Sequence, residues 1–212
     1  MSSEVLFKVL IIGDALVGKT SFVQKYVHGN PRREYKPTIG VDFALKVIRW
    51  SDDMTVRLQL WDIAGQERFT SMTRVYYKGA AACVIMFDLT SPHTFYSTIR
   101  WKQDLDSKCT LPGGRTIPCI LAGNKSDLTS RPVPKETIDK ICKEHSFLGW
   151  TEMSVKDDSN VSESMEYLIK ELVQNHLAEL DQTDGDGDGS VDRGGFIQLT
   201  NPKAQTERRL CC

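Results

Sequence analysis

Short apolar runs rich in β-branched residues alternate along the chain with stretches whose hydrophobic positions recur at helical spacing. Val5–Ile12, Thr55–Trp61, Ala82–Phe87, Pro118–Ala122 and Trp150–Met153 have the length and composition of strands. Between them, Thr20–Val27, Pro92–Ser107 and Lys135–His145 carry the period of helices. Near-continuous apolar strands separated by helices predict an α/β fold, doubly wound around a mostly parallel six-stranded sheet. Val41–Trp50 is separated from Thr55–Trp61 only by the polar Ser51-Asp52-Asp53-Met54. That link is too short for a crossover helix, so one antiparallel hairpin is expected at a sheet edge.

A final helix is predicted to begin at Asn160, whose side chain can cap and whose partner three residues on is Glu163. Its stripe runs Val161, Met165, Leu168, Ile169, Leu172, Leu177 and Leu180, and core packing explains it. From Asp181 onward the hydrophobic period stops, and Gly, Asp, Arg and Thr dominate. Residues 1–180 are therefore expected to form one domain and residues 181–212 a flexible tail.

At 212 residues, 40% hydrophobic and 26% charged, the chain fits one soluble domain and excludes collagen-like, wholly disordered and membrane-spanning classes. A formal net charge of −1 leaves no excess of positive charge for a phosphate backbone, so no nucleic-acid partner is expected. Met1-Ser2-Ser3-Glu4 lacks a basic n-region and Lys8 breaks the apolar run that follows, so no secretory signal is visible. The six cysteines, at 83, 109, 119, 142, 211 and 212, show no zinc-site spacing. A reducing compartment follows, with Cys83, Cys119 and Cys142 as small core residues. Cys211 and Cys212, at the end of a polar tail, fall outside that reading.

The first predicted strand ends in Gly13-Asp14-Ala15-Leu16-Val17-Gly18-Lys19-Thr20, and a helical pattern follows. This is the phosphate-loop pattern, G-x-x-x-x-G-K-S/T, in its strand-to-helix setting. Gly13 and Gly18 permit turns whose N–H groups converge on phosphate oxygens, and the helix N-terminus adds positive field. Lys19 can neutralise the outer phosphates, and Thr20 can ligate Mg²⁺. Asn124-Lys125-Ser126-Asp127 follows the strand Pro118–Ala122, at a carboxyl end of the sheet where open α/β folds bind ligands. There Asp127 can accept two hydrogen bonds from guanine, whereas adenine would leave its charge unpaired.

Between these motifs lies Trp61-Asp62-Ile63-Ala64-Gly65-Gln66-Glu67-Arg68-Phe69. Asp62 is placed to hold Mg²⁺ through water, Gly65 to bring an N–H to the γ-phosphate, and Gln66 to orient an attacking water. Upstream, Tyr35-Lys36-Pro37-Thr38-Ile39-Gly40-Val41-Asp42-Phe43 offers a second hydroxyl, Thr38, for the same metal. Both loops would touch what a triphosphate has and a diphosphate lacks, which predicts release on hydrolysis.

Together with Tyr76-Tyr77-Lys78-Gly79-Ala80 and the terminal Cys-Cys, these motifs resemble a Rab-family small GTPase over residues 5–180. Ile63, Met72-Thr73-Arg74-Val75-Tyr76-Tyr77-Lys78 and Asp104-Leu105-Asp106-Ser107-Lys108 resemble the subgroup that serves lysosome-related organelles. The resemblance implies the phosphate-loop NTPase fold and a GTP/GDP-cycling switch of vesicle traffic. It implies nucleotide contacts at Gly13, Asp14, Ala15, Leu16, Val17, Gly18, Lys19, Thr20, Ser21, Tyr35, Thr38, Gly65, Asn124, Lys125, Asp127, Ser154, Val155 and Lys156. The metal set is Thr20, Thr38 and Asp62, and the catalytic residue is Gln66.

Effectors are implied to meet Ile39, Val41, Asp42, Phe43, Trp61 and Tyr76, although Trp61 at a strand end fits a core position equally. Further partners implied are an exchange factor, a GTPase-activating protein, an escort protein and a GDP-dissociation inhibitor acting on a monomer. Double geranylgeranylation of Cys211 and Cys212 would anchor the chain, since one lipid at about 0.8 kcal/mol per buried CH₂ binds only marginally. The implied location is the cytosolic face of late endosomes, lysosomes or lysosome-related organelles, with a soluble cytosolic pool. A docking scaffold with negligible turnover is the alternative. A phosphate-loop kinase would need an acceptor site and a lid that the sequence does not offer.

Leu16 stands where the subgroup has Gly, Pro31 where the family has an aromatic ring, and Val155 where Ser-Ala-Lys is usual. Weakened base packing and faster GDP release are expected. In the tail, Asp184-Gly185-Asp186-Gly187-Asp188-Gly189-Ser190-Val191-Asp192 follows much of the EF-hand loop pattern, but Gly195 replaces its bidentate Glu. A solvated linker is the favoured reading and weak Ca²⁺ binding the alternative.

Overall fold

The computed structural model describes residues 3–29, 38–66, 73–111, 114–183 and 197–198. Its elements are β1 (Ser3–Ile12), α1 (Lys19–His28), β2 (Val41–Arg49), β3 (Met54–Ile63), α2 (Thr73–Tyr77) and β4 (Ala82–Asp88). They continue with α3 (Pro92–Lys108), β5 (Cys119–Asn124), α4 (Lys135–Glu144), β6 (Gly149–Glu152), α5 (Val161–Thr183) and β7 (Ile197–Gln198). The sheet order is β2-β3-β1-β4-β5-β6-β7, parallel throughout except for the β2–β3 hairpin. The predicted six-stranded sheet is therefore present, and two residues of the segment read as tail add a seventh strand beside β6.

Side-chain alternation sorts the central strands into two cores. On one face Val9, Ile11, Val84 and Met86 meet Phe22 and Val23 of α1 and Met165, Leu168 and Leu172 of α5. On the other, Leu10, Ile12, Ile85 and Phe87 meet Phe95, Trp101 and Leu105 of α3 and Ile138 of α4. Strands covered on both sides must be apolar throughout, which is why β4 and β5 read as continuous hydrophobic runs. Each fully buried Leu, Ile or Phe contributes about 1.5–3 kcal/mol. Cys83, Cys119 and Cys142 are buried as expected, and Cys109 is buried with them.

Two local readings change, and one short helix went unread. The buried face of α5 ends at Leu172 and Val173, whereas Leu177 and Leu180 are 44% and 48% exposed. A helical stripe specifies a face but not how far the sheet extends beneath it. Asn160 adopts φ 57, and its Nδ2 donates to the Glu152 carbonyl instead of serving as the expected cap. The five-residue α2 had no signature, because so short a helix shows barely one turn of the period.

The hairpin has a topological consequence. A β2–β3 hairpin brings no crossover helix, so among the described residues no helix covers one face of β2, β3 and β1 near the sheet edge. Leu6, Phe43, Leu45 and Val47 are exposed there.

Candidate functional site

The phosphate loop leaves β1 and enters α1 through Gly18 at φ 102. A Cβ at Gly18 would lie 2.3 Å from Asn124 Nδ2, so only glycine fits. Gly18 gives α1 no side-chain cap, which leaves the first amides of the helix for a ligand. The Lys19 ammonium is buried and donates to the carbonyls of Gly13 and Asp14 at 2.9 and 2.8 Å. Burial lowers its pKa to about 8, against the opposing pull of Asp62 and Asp14.

Two residues near the loop carry information that local pattern did not. Leu16 has φ 65 and is 66% exposed, so a residue with a Cβ holds a left-handed backbone conformation in the phosphate loop. Asp14 Oδ1 accepts the indole N–H of Trp101 at 2.9 Å, and His93 Nδ1 lies 3.6 Å from its other oxygen. This tie to α3 was missed because a contact between residues 87 positions apart leaves no local signal.

Thr20, Thr38 and Asp62 come from three separate segments and meet at one point. The two hydroxyl oxygens are 2.8 Å apart, Thr20 donates to Asp62 Oδ2, and Thr38 Oγ1 lies 3.4 Å from the same oxygen. Asp62 is buried, and its Oδ1 has no hydrogen-bond partner among the described residues. Burial raises its carboxyl pKa, while the hydroxyls and Lys19 act in the other direction. An orphaned carboxylate oxygen beside two hydroxyls is a hard oxygen donor set of the kind Mg²⁺ takes, so the residues fit that ion.

Gly65 presses on the phosphate loop, where a Cβ would come within 2.3 Å of Ala15 N and 2.5 Å of the Asp14 carbonyl carbon. The next residue, Gln66, is exposed. A cavity of about 130 Å³ is lined by Thr20, Asp42, Phe43 and Asp62. A larger groove of about 500 Å³, between Tyr26, Lys46, Trp50 and Glu166, shares no residue with these motifs. Size alone would choose the groove. The converging metal donors choose the smaller cavity.

On the base side, Asn124 Nδ2 donates to Val17 O at 2.8 Å while its Oδ1 accepts Val155 N–H at 3.1 Å. Lys125, at φ 68, reaches Asp88 Oδ2 at 2.7 Å. Ser154 Oγ donates to Asp127 Oδ1 at 2.8 Å, and Lys156 Nζ lies 3.5 Å from its other oxygen. The Ser154 hydrogen bond above all, with a backbone hydrogen bond and then the Lys156 charge, holds the Asp127 carboxyl below its ordinary range. The Val155 side chain is buried in the core cluster that includes Val161 and Met165, while its N–H meets Asn124. Ser21 is exposed on α1.

Among the aromatic residues expected to face effectors, Phe43 is exposed, and Trp61 and Tyr76 are half-buried. Phe43 and Trp61 meet edge to face at 4.4 Å, and Lys8 Nζ sits 3.4 Å from the Trp61 ring centroid. Trp61 thus joins the two open readings: one side packs against the core and the other faces the bare sheet surface. Ile39 and Asp42 are exposed, and Val41 is half-buried. Pro31, Tyr35, the calcium-loop-like segment, Cys211 and Cys212 lie outside the described residues.

A phosphate loop, a separate base-recognition strand end and two loops meeting at a metal-donor site define a guanine-nucleotide-binding phosphate-loop protein. The Ras family profile matches residues 8–174. The chain is 56% identical over 187 residues to the human Ras-related protein Rab-7L1, covering 88% of this chain and 92% of that one. It is 59% identical over 174 residues to mouse Rab-7L1, covering 82% and 85%. It is 46% identical over 211 residues to human Ras-related protein Rab-32, covering 99% and 90%. The chain belongs to the Rab branch of the Ras-family small GTPases, and it is a GTPase.

Proposed function

We propose that this GTPase cycles between GTP and GDP to regulate vesicle traffic at late endosomes, lysosomes or lysosome-related organelles. It works on the cytosolic face of the membrane, held there by geranylgeranyl groups on Cys211 and Cys212, with a cytosolic pool kept by a GDP-dissociation inhibitor. The observation that carries the switch reading is the meeting of Thr20, Thr38 and Asp62, because Thr38 lies on a loop outside the phosphate-binding frame. A segment whose hydroxyl joins the metal donors can be let go when those donors change. The subgroup resemblance supports the choice of organelle.

In this reading Lys19 and the α1 amides hold the polyphosphate, and Asp127 with Asn124 selects and braces the base end. Bound Mg²⁺ would neutralise charge on the phosphate oxygens. Gln66 orients water toward the γ-phosphate, while its exposure leaves room for a GTPase-activating protein to order it. The bare face around Phe43, Leu45 and Val47 offers effectors an apolar surface continuous with the switch loops.

Phosphate release from GTP, alone and with an activating protein, tests the reading, with Gln66→Leu as the comparison. Slow turnover that the activator accelerates and the substitution abolishes is expected. Equal rates throughout would leave a docking scaffold. A fluorescent copy lacking Cys211 and Cys212 is expected to move from endomembranes to the cytosol.

A further inference from the structure

Arg131 lies in the connection between β5 and α4, four residues after Asp127. Its guanidinium turns back over its own loop. Nη2 donates to the carbonyl of Ser126 at 3.0 Å, and Nη1 donates to the carbonyls of Leu128 and Ser130, the latter at 3.0 Å. Nε donates to Oε2 of Glu152, the last residue of β6, at 3.2 Å. One side chain therefore grips the loop on both sides of Asp127 and fastens it to the neighbouring strand. The other oxygen of Glu152 lies 3.8 Å from Nζ of Lys135, the first residue of α4.

The residues that follow Glu152 meet the same loop. The Met153 carbonyl accepts the Ser126 N–H at 3.0 Å, and Ser154 Oγ donates to Asp127 Oδ1 at 2.8 Å. The Asp127 backbone thus rides on the loop while the hydroxyl that orients its carboxylate rides on the end of β6, and Arg131 bonds to both. The Arg131 and Glu152 side chains are 31% and 24% exposed, so the ion pair alone contributes little and the bonds to the carbonyls supply the hold. Four of the five N–H donors of the guanidinium are engaged, a spread that its rigid fork allows and a single ammonium does not. A carboxylate that reads two donors on one base edge must be held to within about 0.5 Å. We propose that Arg131 is a positioning residue that keeps Asp127 in register with the guanine edge, and so sets the preference of this GTPase for a base that carries the exocyclic amine. This rests on the reading of Asp127 as the carboxylate that selects the base.

The test uses the full chain loaded with fluorescent GDP or with fluorescent inosine diphosphate, whose base lacks the exocyclic amine and offers Asp127 one hydrogen bond instead of two. Once Asp127 is loosened, each of those bonds is expected to weaken about threefold. For Arg131→Ala, dissociation of GDP should therefore rise about tenfold and dissociation of inosine diphosphate about threefold. Arg131→Lys keeps a charge beside Glu152 but cannot reach carbonyls on both sides of Asp127, so the same split is expected of it, and it takes over the test if Arg131→Ala does not fold. Equal acceleration of both nucleotides marks a merely structural role and overturns the proposal, as do unchanged rates for both. A parent protein that releases the two nucleotides at the same rate would instead overturn the reading of Asp127.

Discussion

Asn124 donates from Nδ2 to the carbonyl of Val17 at 2.8 Å, tying the end of β5 to the phosphate loop 107 residues earlier. Its Oδ1 takes the Val155 amide, so one buried carboxamide braces the phosphate and base segments together. Asn124→Ala would remove both bonds and strand a buried N–H, a loss of about 2–4 kcal/mol. Guanine-nucleotide affinity, measured by calorimetry on nucleotide-stripped protein, is expected to fall at least about thirtyfold. Folded protein with unchanged affinity would refute the bracing role.

Leu16 holds a left-handed backbone conformation that costs about 1–2 kcal/mol for a residue with a Cβ. Opening of the phosphate loop relieves that strain, so Leu16 should speed nucleotide loss. Leu16→Gly is expected to slow GDP release several-fold in a fluorescent-nucleotide assay.

The pH dependence of binding follows from Lys19. Burial places the free-state pKa at about 8, and an anionic ligand beside the ammonium raises it. The bound state therefore holds more protons between those two values. Nucleotide affinity should be flat below pH about 8 and fall as pH rises above it, with proton uptake on binding. Calorimetry in two buffers of different ionisation enthalpy measures that uptake; none at pH 9 would contradict the assignment.

Metal removal gives a fourth test. If Asp62 helps to hold Mg²⁺, a chelator should accelerate GDP release from the parent about tenfold or more. Asp62→Asn should release GDP fast from the start and respond little to the chelator. A variant that kept the full chelator response would remove Asp62 from the metal set.

The phosphate loop was readable because its requirements are contiguous: a strand end, two glycines, a lysine and a hydroxyl before a helix. Asp62 and Thr38 were nameable as metal ligands by motif, but nothing local indicated that their oxygens meet. The stripe on α5 gave the correct face through Leu172 and then misled at Leu177 and Leu180, where the buried side of the helix has already ended.

Sequence alone determined six strands, the four longer helices and which short motifs present amides, hydroxyls and carboxylates, since backbone preference and side-chain period act over neighbouring residues. Tertiary structure decided the joining of Thr38 to Asp62 and Trp101 to Asp14. Those contacts depend on how elements remote in the chain stack across one sheet. Packing that buries the most apolar surface fixes that stacking, and no local run of residues encodes it.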